Sequence, residues 1–209
     1  MIDFLKYKKA YGRHEVLSIP DLSIPNGIHW IKGINGSGKS TILKSIAGII
    51  PFKGHINIEG HSLKTAPVIS RRLVAYSEAE PLFPDFLTAK EILDFVTHAL
   101  KVNSQDVDSM INYFEMDSFM GQATGGYSAG MLKKLSLCLA FLGHSSWILL
   151  DEPLAFIDKE TEIKLIELIQ RRHEEGSSII ITSHHELDKM VLNFDHEYRI
   201  DGINLKREV

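Results

Sequence analysis

The chemistry most legible in this chain lies between Gly33 and Ser40. Gly33, Ile34, Asn35, Gly36, Ser37, Gly38, Lys39 and Ser40 fit the P-loop pattern G-x-x-x-x-G-K-[ST]. Its glycines let backbone amides turn towards an anion with no side chain in the way. A helix starting here would aim its positive end at the same anion. Lys39 is long enough to reach the outer phosphates of a nucleotide, and the Ser40 hydroxyl is a hard oxygen suited to Mg²⁺. A dinucleotide fingerprint does not fit, because Thr41 stands where its third glycine would be.

A pair of carboxylates forms the second group. Asp151 and Glu152 follow the apolar run Trp147–Leu150. Behind a phosphate loop, an aspartate in this place helps hold Mg²⁺. The adjacent glutamate can orient or deprotonate an attacking water.

Rigid elements must hold these groups. Ile28 to Ile34 reads as a strand entering the glycine-rich turn, and Ser40 to Ile50 as the helix that leaves it. Trp147 to Leu150 reads as a short buried strand, and Ile179 to Thr182 as another that ends at His184. Asp158 to Glu175 reads as a helix: Asp158 can cap its start, Arg171, Arg172 and His173 suit its last turn, and Gly176 can stop it. Between them, from about Pro84 to Gly125, the pattern turns helical. Thr88-Ala-Lys-Glu91 is a capping box, and the helix behind it is expected to bury Ile92, Leu93, Phe95 and Val96. A second helix is expected at about Val107 to Phe114, with Ser104 as its capping candidate. The expectation is one α/β domain over residues 1–209, with an N-terminal antiparallel β region and a helical lobe at about 84–125 inserted in the core.

Composition narrows the class. A formal net charge of -4 and a pI of about 6.2 argue against a general nucleic-acid binder. The single cysteine, Cys138, sits between Leu137 and Leu139 and reads as a buried thiol with no disulfide. No apolar run approaches the ~20 residues of a membrane-spanning helix, and the charged N-terminus does not resemble a signal peptide. A membrane role would therefore need a second polypeptide.

Read together, these motifs resemble the nucleotide-binding domain of ABC transporters over nearly the whole chain. Gly33 to Thr41 is similar to the family's P-loop in detail. Tyr11-Gly12 resembles the aromatic loop that stacks on adenine. Tyr127-Ser-Ala-Gly-Met131 resembles the family signature, in which Ser128 and Gly130 would contact the γ-phosphate held by the opposite subunit. Ser128 also reads as a helix cap. Thr182-Ser-His184 resembles the switch motif, with His184 on the γ-phosphate. His185 reads as a bystander, and the run after it lacks the second histidine of a zinc-protease helix. The resemblance implies P-loop NTPase architecture, with ATP and Mg²⁺ as cofactors. Glu152, Lys39 and His184 would be the catalytic groups, and Ser40, Asp151 and Glu78 the Mg²⁺ ligands. It implies a homodimer or heterodimer of such subunits sandwiching two ATP molecules, on the cytoplasmic face of a membrane and joined to an integral-membrane permease on another chain.

Three features depart from the family pattern. Glu78 replaces the usual glutamine, keeping an oxygen for Mg²⁺ while adding charge. Ala129 and Met131 alter the signature, and Tyr-Ser-x-Gly-Met resembles members that serve exporters of peptides, antibiotics or other amphipathic compounds. Leu154 to Ile157 lacks the usual serine and carries the bulky Phe156. A soluble ABC ATPase unconnected to transport and a nucleotide-gated, non-catalytic subunit are the competing functions.

Overall fold

The computed structural model describes residues 1–184 and 192–208. Three strands open the chain: β1 (Ile2–Tyr11), β2 (His14–Ile24) and β3 (Ile28–Lys32). The glycine-rich loop and α1 (Lys39–Ile46) follow. Next come β4 (Lys53–Ile58), β5 (His61–Ser62), α2 (Pro67–Arg72) and β6 (Val74–Ser77). Three further helices, α3 (Ala89–Leu100), α4 (Ser104–Tyr113) and α5 (Ala129–Phe141), precede β7 (Trp147–Asp151). The chain continues through α6 (Lys159–Glu174), β8 (Ser178–Ser183), β9 (His196–Asp201) and β10 (Asn204–Arg207).

Two sheets result. An antiparallel sheet has the order β2-β1-β4-β5, and a second has the order β10-β9-β3-β8-β7-β6. In the larger sheet only β10 runs antiparallel; β9, β3, β8, β7 and β6 are mutually parallel. The mostly parallel sheet explains the unbroken apolar runs. Successive side chains on a strand point to opposite faces, and a parallel sheet is covered on both. Ile148 and Leu150 pack with Leu135, Leu137, Phe141, Leu165 and Ile169 of α5 and α6. Trp147 and Leu149 face the other way, among Ile42, Leu43 and Ile46 of α1 and the apolar face of the small sheet, including Phe4 and Ile56.

Helix boundaries refine the sequence reading. Asp158 caps α6, its carboxylate accepting from the Thr161 amide at 2.8 Å, and Thr88 with Glu91 forms the capping box of α3. Helix α1 stops at Ile46, short of Ile50, because Gly48 takes φ +67, outside the helical region. Asn103, not Ser104, caps α4: its side-chain oxygen accepts from the Asp106 amide at 2.9 Å, and Ser104 becomes the first helical residue. Phe95 is not buried by α3; it is 75% exposed. At ~100° per residue it lies on the order of 110° from the centre of the stripe formed by Ala89, Ile92, Leu93 and Val96. Cys138 is buried and free, and burial pushes its thiol up to about 12.

Candidate active site

The parallel strands end on one rim, and the candidate residues collect there. The loop between β3 and α1 is closed by the Ser37 amide donating to the Ile34 carbonyl at 3.1 Å. Gly36 and Gly38 take φ +77 and +106, the left-handed region that favours glycine. A side chain at Gly38 would also meet Val16 and Leu17 of β2 at 3.1–3.2 Å.

Lys39 is buried and folded back over its own loop. Its Nζ donates to the carbonyls of Gly33 at 2.7 Å and Ile34 at 3.2 Å, and pairs with Glu152 at 3.4 Å. Glu152 follows β7 with φ +44, an uncommon value for a non-glycine residue. Its amide donates to the Thr182 carbonyl at 3.2 Å and to Thr182 Oγ1 at 3.1 Å, which fixes the turn. Its second carboxylate oxygen accepts from His184 Nδ1 at 2.9 Å. A cation and an imidazole from two other elements thus bracket one carboxylate. Asp151, one residue earlier, is wholly buried; it accepts from Thr182 Oγ1 at 2.6 Å and from Tyr76 Oη at 3.3 Å. Burial and the Asp151 charge together push the Tyr76 hydroxyl far above its ordinary range.

These groups surround a cleft of about 600 Å³. Asn35, Gly36, Gly38, Ser40 and Thr41 form its floor, Glu152 and His184 one wall, and Tyr11, 52% exposed, the mouth. Lys9 Nζ lies 4.5 Å from the Tyr11 ring centroid, a cation–π contact. The cleft also takes in His14, Val16, Glu80 and Phe156. Sequence motifs gave no sign of the first three, whose place depends on how β2 and the chain after β6 approach the loop.

Asp151, wholly buried beneath Glu152, and Gly33, Ile34 and Ser37 of the loop are not part of the cleft lining, and three further expected residues lie elsewhere. Glu78 is turned to Lys44 of α1 at 3.4 Å and does not line the cleft, although Ala79 and Glu80 do. Ser128 and Gly130 sit at the start of α5, outside the cleft lining. Ser128 caps that helix, accepting from the Met131 amide at 3.2 Å. A Cβ on Gly130 would stand 2.9 Å from the Phe156 carbonyl oxygen, so a larger residue there would force the backbone to shift. Phe156 holds φ +66. His185 and the run after it fall outside the described residues.

A glycine-rich floor at a helix start, with a lysine and a carboxylate–imidazole pair beside it, suits a nucleoside triphosphate. Residues 20–155 match the family of ABC transporters. The chain belongs to that family. It is an ATP-binding, ATP-hydrolysing subunit of the transporter type. It is 28% identical over 186 residues to the lantibiotic transport ATP-binding protein SrtF of Streptococcus pyogenes, covering 88% of this chain and 80% of that one. It is 26% identical to the cytochrome c biogenesis ATP-binding export protein CcmA of Legionella pneumophila, over 90% and 94% of the two chains. Among solved structures, the ATP-binding subunit of an ABC transporter superposes with a TM-score of 0.89 over 100% of this chain and 90% of that one, at 22% identity. A dimeric ATP-binding cassette in a post-hydrolysis state with ADP and phosphate superposes with a TM-score of 0.84 over 100% and 98%, at 18% identity. Both carry the P-loop NTPase fold of this ABC subunit.

Proposed function

We propose that this ABC subunit hydrolyses ATP at the Lys39–Glu152–His184 constellation to drive an exporter whose permease is a separate chain. The observation that carries the reading is the Glu152 carboxylate held between Lys39 at 3.4 Å and His184 at 2.9 Å inside the cleft. An incoming γ-phosphate competes for Lys39 and releases one oxygen of Glu152, which then positions the attacking water. His184 donates to that phosphate, and Tyr11 stacks on adenine. The backbone from Gly33 to Thr41, with Ile34, Asn35 and Ser37 among its amides, cradles the phosphates.

Ser40 and Asp151 offer the hard oxygens that Mg²⁺ prefers. Among the described residues no group of three or more His, Cys, Asp or Glu side chains is placed to hold a metal alone. That fits an ion held by one or two protein oxygens with the remainder from phosphate and water. Bound there with ATP, Mg²⁺ would neutralise phosphoryl charge. Glu78 reaches the site only by leaving Lys44.

Ser128 and Gly130, outside their own cleft, serve the ATP of a second subunit, identical or related. Residues 84–125 act as the helical lobe of the single domain and meet the permease on the cytoplasmic face of the membrane. No helix among the described residues is long and apolar enough to cross a membrane; in this reading attachment runs through that partner, and no nucleic acid takes part. Relatives named for lantibiotic transport and for export support the exporter direction, as does the Tyr-Ser-x-Gly-Met signature. The test is Glu152→Gln. ATP binding should persist while turnover falls ~10²-fold or more, the scale of a lost general base, and ATP should trap a dimer. Unchanged turnover removes Glu152 from the chemistry.

A further inference from the structure

One buried cation has no part in the chemistry above. Lys133 lies in α5, just past the Ser128–Gly130 start, and is wholly buried. Its Nζ donates to three backbone carbonyls: Glu78 at 2.7 Å, Ala79 at 3.3 Å and Asp151 at 2.9 Å. A residue needed only to fill this volume would be apolar, because a buried ammonium is costly to desolvate. Burial pushes it down to about 8, against the pull of Asp151, Glu152 and Glu78.

The three acceptors are informative. Glu78 and Ala79 begin the segment after β6, in which Ala79 and Glu80 line the cleft. Asp151 closes β7, next to Glu152. One ammonium therefore joins both strand ends that shape the cleft to the helix that carries Ser128 and Gly130. The Ser77 and Ser136 hydroxyls, 2.9 Å apart, add a second tie between β6 and the same helix. A helix is rigid along its axis, so a shift of either strand end is passed to its N-terminus.

We infer that Lys133 is a positioning residue that holds the Ser128–Gly130 end of α5 in register with the chain's own ATP cleft, so that one cleft's occupancy sets the surface offered to a second subunit. The inference rests on the two-subunit reading above. The experiment measures, for Glu152→Gln and for the double variant Glu152→Gln/Lys133→Met, ATP affinity of the monomer, ATP-dependent dimerisation by sedimentation and thermal unfolding. Methionine keeps the apolar stem and removes the ammonium. The double variant should bind ATP within about twofold of the single one, yet dimerise about tenfold or more weakly, the scale of one charged hydrogen bond. Dimerisation equal to that of the single variant overturns the role of Lys133 alone. A Glu152→Gln protein that binds ATP and stays monomeric removes the two-subunit reading, and this inference with it. If the methionine variant loses ATP binding as well, Lys133→Gln, shorter by one atom and still a donor, takes its place. Weakened dimerisation with ATP affinity kept supports the role, whereas full dimerisation, or joint loss of folding and ATP binding, overturns it.

Discussion

Lys39 and Glu152 show how two opposite charges are balanced inside the cleft. Both are largely buried, so each needs a partner, and they pair with each other at 3.4 Å. The positive φ of Glu152 keeps its carboxylate turned into the cleft instead of back along β7, a local strain of the kind that clusters at functional sites. Tyr11 works by other physics. Its ring is half-exposed at the cleft mouth, and Lys9 lies against it, leaving stacking area for a base. Tyr11→Ala should weaken ATP binding by roughly 1–3 kcal/mol, the scale of one base–aromatic stack. Tyr11→Phe and Tyr11→Trp should bind like the parent. Equal dissociation constants for the parent and the alanine variant would place adenine elsewhere.

Among the connecting segments, residues 81–87 divide their apolar side chains between two fates. Phe83 and Leu87 pack against the core that contains α3 and α5. Leu82 and Phe86 are 87% and 81% exposed. The split is enforced by the backbone. Thr124 and Gly125 amides donate to the carbonyls of Leu87 at 2.8 Å and Asp85 at 3.0 Å, and Thr124 Oγ1 donates to the Pro84 carbonyl at 2.9 Å. With the chain pinned on that side, Phe86 is held outward. An exposed apolar pair beside the segment that follows β6 is suited to meet the permease proposed above. Phe86→Ser should leave thermal unfolding and basal hydrolysis as they are and abolish co-purification with the permease from solubilised membranes. Phe83→Ser should instead lower stability by about 1–3 kcal/mol, as expected for truncating a half-buried aromatic. Permease capture that survives Phe86→Ser would sink the docking role.

At the scale of the whole molecule, β3 lies inside the larger sheet between β9 and β8, and His29 is its second residue. The ring is buried between Trp147 and His196, with Nε2 2.7 Å from the Pro25 carbonyl. Burial pushes its pKa down to about 4, with the Pro25 hydrogen bond acting in the opposite sense. The unfolded chain takes up this proton near pH 6.5 and the native chain only near 4. Between those values the unfolded state binds more protons, so stability is full above about 6.5 and falls as the pH drops towards 4. The shift corresponds to a loss on the order of 3 kcal/mol over the whole window. Urea unfolding near pH 7.5 and near pH 5 should differ by about 2 kcal/mol, and the contribution of His29 to that difference should vanish in His29→Gln. A pH dependence identical in the two proteins would assign it to other groups.

Local patterns by themselves determined the phosphate loop, the acidic pair, the buried strands, and the caps at Thr88, Ser128 and Asp158; the motifs taken together along the chain determined the family. Each depends on residues close in sequence, where spacing maps directly onto backbone geometry. Two sequence readings failed where two local rules competed, at the Asn103–Ser104 cap and at the outward face of Phe95. Only the tertiary structure decided what long-range packing controls. It brought Glu152 to Lys39 and His184, from segments far apart in the chain. It turned Glu78 to Lys44, sent Phe83 inward and Phe86 outward, and buried Lys133 on three carbonyls. A lysine one turn into a helix reads as a solvated charge. Only the approach of two strand ends makes it an internal tie.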